Sequence, residues 1–224
     1  MISRTKLAGM IDHSVLRPDS TEEDVRNGCK LAVKLGLAAV VVNPTHVPIV
    51  ATNLKGSRVK TCSVVSFPFG LSSKEVKLAE ARSALAQGAE EIDMVMNFSA
   101  LRSRREDYVL NEIRSIVELT KTQAKKAIVK VILETCYLSE AEKKKACLLA
   151  VEGGADFVKT STGFGSAGAT LDDVRLMREA VGSRLGVKAA GGIRTLEQAL
   201  GMVEAGANRI GTSSSLSILE RMAR

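Results

Sequence analysis

Two lysines end apolar runs and stand just before small residues and glycine, in Phe157-Val158-Lys159-Thr160-Ser161-Thr162-Gly163 and Val187-Lys188-Ala189-Ala190-Gly191-Gly192. An ordinary lysine, with a pKa near ~10.4, is neutral in only about one molecule in 2500 at pH 7. One that is partly desolvated beside another cation is neutral far more often, and then it can attack a carbonyl. On neighbouring strands, Lys159 and Lys188 would repel each other. A depression of about three units, roughly 4 kcal/mol, would bring one of them near neutrality at working pH.

The period of two along a strand adds further polar groups. In Ile92-Asp93-Met94-Val95-Met96-Asn97 it puts Asp93, Val95 and Asn97 on one face, and in Ile128-Val129-Lys130-Val131-Ile132-Leu133-Glu134 it groups Lys130, Ile132 and Glu134. With Asp12, Lys159 and Lys188, these predict three lysines and three carboxylates converging on one end of a sheet interior, where charges must be paired. Any one of them alone could equally be an ion pair that only closes the sheet. Glycine next to both lysines, letting backbone approach a ligand, favours a site. Gly191-Gly192-Ile193-Arg194 and Gly211-Thr212-Ser213-Ser214-Ser215 follow the last two predicted strands, where a phosphate could be cradled. His13 and His46, the only histidines, are too few for a histidine-rich metal site. His13 is expected in the core or just behind the site, and His46 on the surface.

The elements that must carry these residues alternate. After a short first helix, Gly9 to His13 predicts a strand; Thr21 caps the next helix, with Glu22, Glu23 and Asp24 in its first turn, and Gly36 ends it. Leu37 to Val42 and Arg58 to Ser66 are apolar strands separated by a helix through Leu54. Ser72 with Glu75, Ser139 with Glu142 and Thr195 with Gln198 predict capping boxes. Three junctions, Gly88-Ala89-Glu90, Gly154-Ala155-Asp156 and Gly206-Ala207-Asn208, each close a helix and launch a strand. Ile128 to Leu133 and Leu185 to Ala190 supply two more strands. About eight strand-helix units without a composition break predict an α/β (β/α)8 TIM barrel, one catalytic domain over residues 1–224. A doubly wound open sheet is the competing architecture, but no G-x-G-x-x-G follows the first strand.

With 45% hydrophobic and only 3% aromatic residues and no Trp, the core must be aliphatic. The net charge of +7 and a pI near 9.3 favour anionic partners, phosphorylated metabolites ahead of nucleic acid. The basic residues are scattered, and Lys143-Lys144-Lys145 reads as a solvated helix face, so no nucleic-acid partner is expected. Cys29, Cys62, Cys136 and Cys147 lack C-x-x-C spacing and read as reduced core thiols, which points to the cytoplasm. No uncharged apolar run reaches membrane-spanning length, so neither secretion nor a membrane is expected.

Phe157 to Gly163, Val187 to Arg194, Glu91-Ile92-Asp93-Met94-Val95 and Ile11-Asp12-His13 together resemble the signatures of the deoxyribose-phosphate aldolases, in their short bacterial and archaeal form and nearly end to end. The resemblance implies a class I aldolase without metal or other cofactor, interconverting 2-deoxy-D-ribose 5-phosphate with acetaldehyde and D-glyceraldehyde 3-phosphate. It implies that Lys159 forms the Schiff base, that Lys188 lowers its pKa and that Asp93 moves protons with it. Asp12, Lys130, Glu134 and Thr160 are expected beside the substrate or behind these groups. Phosphate contacts carry over to Gly163, Gly191, Gly192, Ile193, Arg194, Gly211, Ser213 and Ser214, and the family tends to form homodimers or homotetramers. Several positions depart from the family pattern: Arg17 and Phe164 stand where lysine is found, Ser99 where glycine is frequent and Val41 where cysteine is frequent. The tail Glu220-Arg221-Met222-Ala223-Arg224 lacks the terminal tyrosine of longer members. Two other readings stay open: another Schiff-base enzyme, such as a transaldolase or fructose-type aldolase, and a non-catalytic barrel that binds phosphosugars.

Overall fold

In the computed structural model, which describes residues 2–222, the apolar runs become eight parallel strands. They are β1 (Ile11–Val15), β2 (Ala39–Val42), β3 (Lys60–Val65), β4 (Glu91–Val95), β5 (Ile128–Ile132), β6 (Phe157–Lys159), β7 (Gly186–Ala190) and β8 (Arg209–Thr212). Each pairs with the next, and β8 returns to β1, so the sheet closes as a TIM barrel and the open-sheet alternative falls. The helices are α1 (Arg4–Ala8), α2 (Glu22–Leu35), α3 (Val47–Leu54), α4 (Lys74–Ala86) and α5 (Phe98–Arg102). They continue with α6 (Glu106–Gln123), α7 (Glu140–Glu152), α8 (Leu171–Val181), α9 (Leu196–Glu204) and α10 (Ser215–Glu220). Of the tail, Ala223 and Arg224 lie outside the described residues.

Local chemistry sets the boundaries. Thr21, Ser139 and Thr195 form capping boxes with Asp24, Glu142 and Gln198, worth about 1 kcal/mol each. The box expected at Ser72 and Glu75 does not form: Ser73, one residue on, caps α4 alone by accepting from the Val76 amide, while the Ser72 amide donates to Ser66 Oγ. The three Gly-Ala junctions do two jobs. The glycines adopt φ of 104°, 77° and 116°, which turns the chain out of each helix. The residue after each alanine then reaches the preceding strand: Glu90, Asp156 and Asn208 accept from the amides of Thr61, Val129 and Val187. An amide at the open start of a buried strand is satisfied at each place.

The core has two compartments. The larger lies between sheet and helices and takes the outward strand residues, such as Ile92, Met94, Val129, Val131 and Val187. The smaller lies inside the barrel, where Ala39, Val41, Cys62 and Val64 of β2 and β3 form an apolar plug. Beside this plug the interior carries the charges of Asp12, Asp93, Lys130, Lys159 and Lys188, with Val95 and Ile132 buried on the same strand faces as Asp93 and Lys130. Asp93 keeps the inward face expected for it, but Asn97 leaves the strand and caps α5 by accepting from the Ala100 amide at 2.8 Å. His13 is buried as expected, with Nδ1 2.9 Å from Ser215 Oγ, and burial lowers its pKa. His46 is half-buried rather than a surface residue, in the short turn before α3.

Candidate active site at the C-terminal mouth of the barrel

Lys159 is the last residue of β6 and pairs in register with Lys188 of β7, while Asp93 of β4 pairs with Lys130 of β5. Closure brings the two pairs face to face across the interior. Lys159 Nζ lies 2.8 Å and Lys188 Nζ 2.7 Å from the same oxygen, Asp93 Oδ2; Lys130 Nζ lies 2.7 Å from Oδ1. Lys188 also reaches Asp12 Oδ2 at 2.5 Å. All five side chains are buried, and Lys159, at 2% exposure, is the one lysine of the three that borders the cleft.

The electrostatics are unequal. Burial, reinforced by repulsion from Lys188, lowers the pKa of Lys159 against the pull of Asp93. Lys188 goes the other way: burial works against its charge, but Asp12 and Asp93 together outweigh it and raise its pKa. Mutual depression, expected for two adjacent lysines, therefore acts on Lys159 only, because Lys188 has two carboxylates and Lys159 a share of one. Burial would raise the Asp93 pKa, yet Lys130, Lys159 and Lys188 hold it well below the usual carboxylate range. Asp12 behaves likewise, held at about 2 against burial by Lys188, Arg209 and Lys130. The Cys62 thiol touches this cluster, with Sγ 3.3 Å from Asp93 Oδ1; burial, then Asp93, pushes its pKa up and keeps it protonated.

Two expected members do other work. Glu134 does not join the lysines: it sits past the end of β5 at φ 47° and accepts from the Thr162 amide and hydroxyl. It braces the loop after β6, and burial raises its pKa. Thr160 bridges strands, its Oγ1 donating to Ala190 O and accepting from Ala190 N, both at 3.0 Å. The third carboxylate of the cluster is Glu91, which with Arg209 was missed. Glu91 Oε2 lies 2.5 Å from Lys130 Nζ and 3.0 Å from Arg209 Nη2, and Arg209 also donates to Asp12 Oδ1. The strand period held the signal, since Glu91 is two residues before Asp93, and Arg209 two before Gly211.

Above Lys159 opens a cleft of about 340 Å³, lined by Gly163, Gly191, Gly192, Ile193, Arg194, Gly211 and Ser213. Ser214 does not line it; its amide donates to Thr212 Oγ1 at 2.9 Å. Ser14, Leu16, Arg17, Thr162, Phe164 and Thr212 complete the wall. Among the described residues the amides of Gly163, Gly192 and Ser213 donate to no protein acceptor. Arg194 commits its amide to Gln198 and leaves its guanidinium exposed, whereas that of Arg17 is paired with Asp19 at 2.7 Å. No cluster of His, Cys, Asp and Glu suited to a metal occurs among the described residues.

Comparison with known proteins gives the same answer throughout the chain. Residues 6–221 match the DeoC/LacD family aldolase. The deoxyribose-phosphate aldolase of Thermococcus gammatolerans is 55% identical over 96% of this chain and 95% of its own. That of Thermococcus kodakarensis is 53% identical over 98% of both. The structure of the tetrameric deoxyribose phosphate aldolase from Aeropyrum pernix superposes with a TM-score of 0.91 at 38% identity, covering 97% of this chain and 91% of that one. Such identity over nearly the whole length leaves one conclusion: the chain belongs to the DeoC/LacD family of aldolases.

Proposed function

We propose that this chain is a class I deoxyribose-phosphate aldolase, cleaving 2-deoxy-D-ribose 5-phosphate to acetaldehyde and D-glyceraldehyde 3-phosphate through an imine on Lys159. The observation that carries it is the placement of one depressed lysine, sharing its only carboxylate oxygen with a second lysine, at the floor of a cleft rich in backbone donors. The neutral amine of Lys159 adds to the C1 aldehyde, and loss of water leaves a protonated imine. Removal of the C3 hydroxyl proton breaks the C2–C3 bond, and its electron pair moves into the imine as an enamine. D-Glyceraldehyde 3-phosphate leaves, the enamine takes a proton at C2, and water releases acetaldehyde and the amine.

Asp93 is the proton carrier in this reading, through water. While it grips three ammonium groups it is a poor base. Its proton affinity rises once the Lys159 nitrogen turns to the imine and Oδ2 is left to Lys188. Lys188 supplies the repulsion that keeps Lys159 reactive, and Asp12 and Lys130 hold Lys188 and Asp93 in place. The amides of Gly163, Gly192 and Ser213, with the Arg194 side chain, suit the 5-phosphate, with Gly191, Ile193 and Gly211 shaping the cradle. Phe164, packed edge-on against Phe67, offers no charge, so Arg194 stands in for the lysine found there in other members. The net charge of +7 favours such a substrate over a neutral one.

We read the chain as a single catalytic domain in the cytoplasm, supported by four free cysteines, three of them buried, and as a homo-oligomer, supported by the tetrameric Aeropyrum pernix relative. No described helix is long and apolar enough to cross a membrane. Reduction with borohydride in the presence of acetaldehyde is expected to leave a two-carbon adduct on Lys159. An unmodified Lys159 in folded protein overturns the imine. A panel of phosphorylated and unphosphorylated aldehydes then separates this substrate from those of a transaldolase or fructose-type aldolase.

A further inference from the structure

Beneath Lys159 the buried charges form a closed circuit. From Arg209, one arm runs to Glu91 at 3.0 Å, then to Lys130 at 2.5 Å, and reaches Asp93 Oδ1 at 2.7 Å. The other arm runs from Arg209 to Asp12, then to Lys188 at 2.5 Å, and reaches Asp93 Oδ2 at 2.7 Å. Three cations and three carboxylates alternate around this ring, so it is neutral by itself. Lys159 hangs outside it as the seventh charge. The ring's far side is Glu91 and Arg209, the first residues of β4 and β8, at the end of the barrel away from the cleft.

We propose that Glu91 and Arg209 are positioning residues that close this ring and thereby set the protonation of Lys159, which neither of them touches. The reason is charge counting in a medium where unbalanced charge is expensive. With every group ionised, the cluster carries four cations against three carboxylates. The proton it yields most readily is the unbalanced one, and the only cation without a carboxylate of its own is Lys159. Each ring cation, by contrast, contacts two carboxylates or more. Removing Arg209 leaves the ring with one excess negative charge, which holds the proton on Lys159. Removing the Glu91 charge leaves an excess positive charge, which drives that proton off.

The other groups facing Lys159 do not supply this balance. Strand β2 contributes only Ala39 and Val41, and β3 contributes Cys62, whose thiol stays protonated. Glu134, past the end of β5, is taken up by Thr162, and burial raises its pKa. On the cleft side, Arg17 is paired with Asp19 and Arg194 is exposed to solvent.

The inference rests on the imine reading for its functional meaning, so its test has a readout that needs no substrate. The titration of Lys159 is followed by NMR of protein carrying lysine labelled with carbon-13 at Cε. In parallel, the pH dependence of cyanoborohydride trapping of acetaldehyde on Lys159 is measured. Lys159 Nζ is three ion-pair contacts from Glu91 and four from Arg209, so at an effective dielectric constant of ~20 and a separation on the order of 10 Å each substitution is expected to move both midpoints by about one pH unit. Glu91→Gln moves them down, Arg209→Met moves them up, and the double variant, whose ring is again neutral, returns to within a few tenths of a unit of the unmodified protein. Shifts of the same sign in both single variants, or no shift in folded protein, overturn the proposal. Should a single variant fail to fold, Arg209→Lys and the double variant decide, because both keep the ring neutral and must keep the original midpoint. Absence of trapping with the opposed NMR shifts intact overturns the imine reading alone.

Discussion

Replacing Lys77 by Met removes one half of an ion pair that is fully buried outside the barrel, between α4 and α6. Lys77 Nζ lies 2.7 Å from Glu112 Oε2 and donates to Val95 O at 2.8 Å, while Glu112 Oε1 accepts from the Asn97 amide at 2.9 Å. The pair thus grips the chain on both sides of the end of β4, two and four residues past Asp93. Burial outweighs attraction in both partners, lowering the pKa of Lys77 and raising that of Glu112. Without Lys77, Glu112 must take up a proton to stay buried. From an unfolded value near ~4.3 to pH 7 that is about 2.7 units at ~1.36 kcal/mol each, or ~3.7 kcal/mol. The lost bond to Val95 adds about 1 kcal/mol, for a total of ~4–5 kcal/mol, in line with ~3–5 kcal/mol for breaking buried pairs. The sign with pH follows: the folded pKa of Glu112 is raised in this variant, so its stability is retained below ~4.3 and lost as pH rises, by about 1.4 kcal/mol per unit. Glu112→Gln leaves Lys77 to shed its proton. A depressed lysine retains stability above ~10.4 and loses it as pH falls, so the slope is opposite. Urea unfolding followed by circular dichroism between pH 5 and 9 measures both. A loss for Lys77→Met below about 1 kcal/mol that does not vary with pH would refute the reasoning.

Lys188→Met is expected to fold, because it can leave Asp93 paired with Lys130 and Lys159, but to lower kcat at least about tenfold at neutral pH, since Asp93 then holds the proton on Lys159; steady-state kinetics against pH checks it, and unchanged activity removes Lys188 from the mechanism. Gly168→Ala should weaken phosphate binding more than chemistry. A Cβ there would lie 2.3 Å from Gly191 O, so the backbone of the cradle must move. KM for deoxyribose 5-phosphate is expected to rise several-fold, with little effect on unphosphorylated 2-deoxyribose.

Much of the architecture was readable because its causes are local. A capping box spans four residues, a Gly-Ala junction with its acceptor three, and strand alternation repeats every two, so Thr21, Ser139, Thr195 and the junction at Gly154 carry their meaning in nearby residues. The error at Ser72 is of the same kind: two serines in a row can both cap, and only the path from Ser66 decides for Ser73. Asn97 and Glu134 misled for a different reason. Strand periodicity says nothing about where the strand stops, and both residues lie just beyond the ends of β4 and β5, where the chain has already turned.

By itself, the sequence determined the eight-fold alternation, the lysines that end β6 and β7, and the inward direction of Asp12, Asp93 and Lys130. Which charges meet was decided by tertiary structure alone. Arg209 and Asp12 are 197 residues apart and touch because β8 closes on β1; Lys188 and Asp93 are 95 apart and meet across the interior. The same closure gives Lys188 two carboxylates and Lys159 a share of one, making one lysine of a similar-looking pair a fixed cation and giving the other the lowered pKa that the proposed imine needs. Backbone preference acts between neighbours in the chain, whereas the protonation of a buried group depends on every charge within a few ångströms.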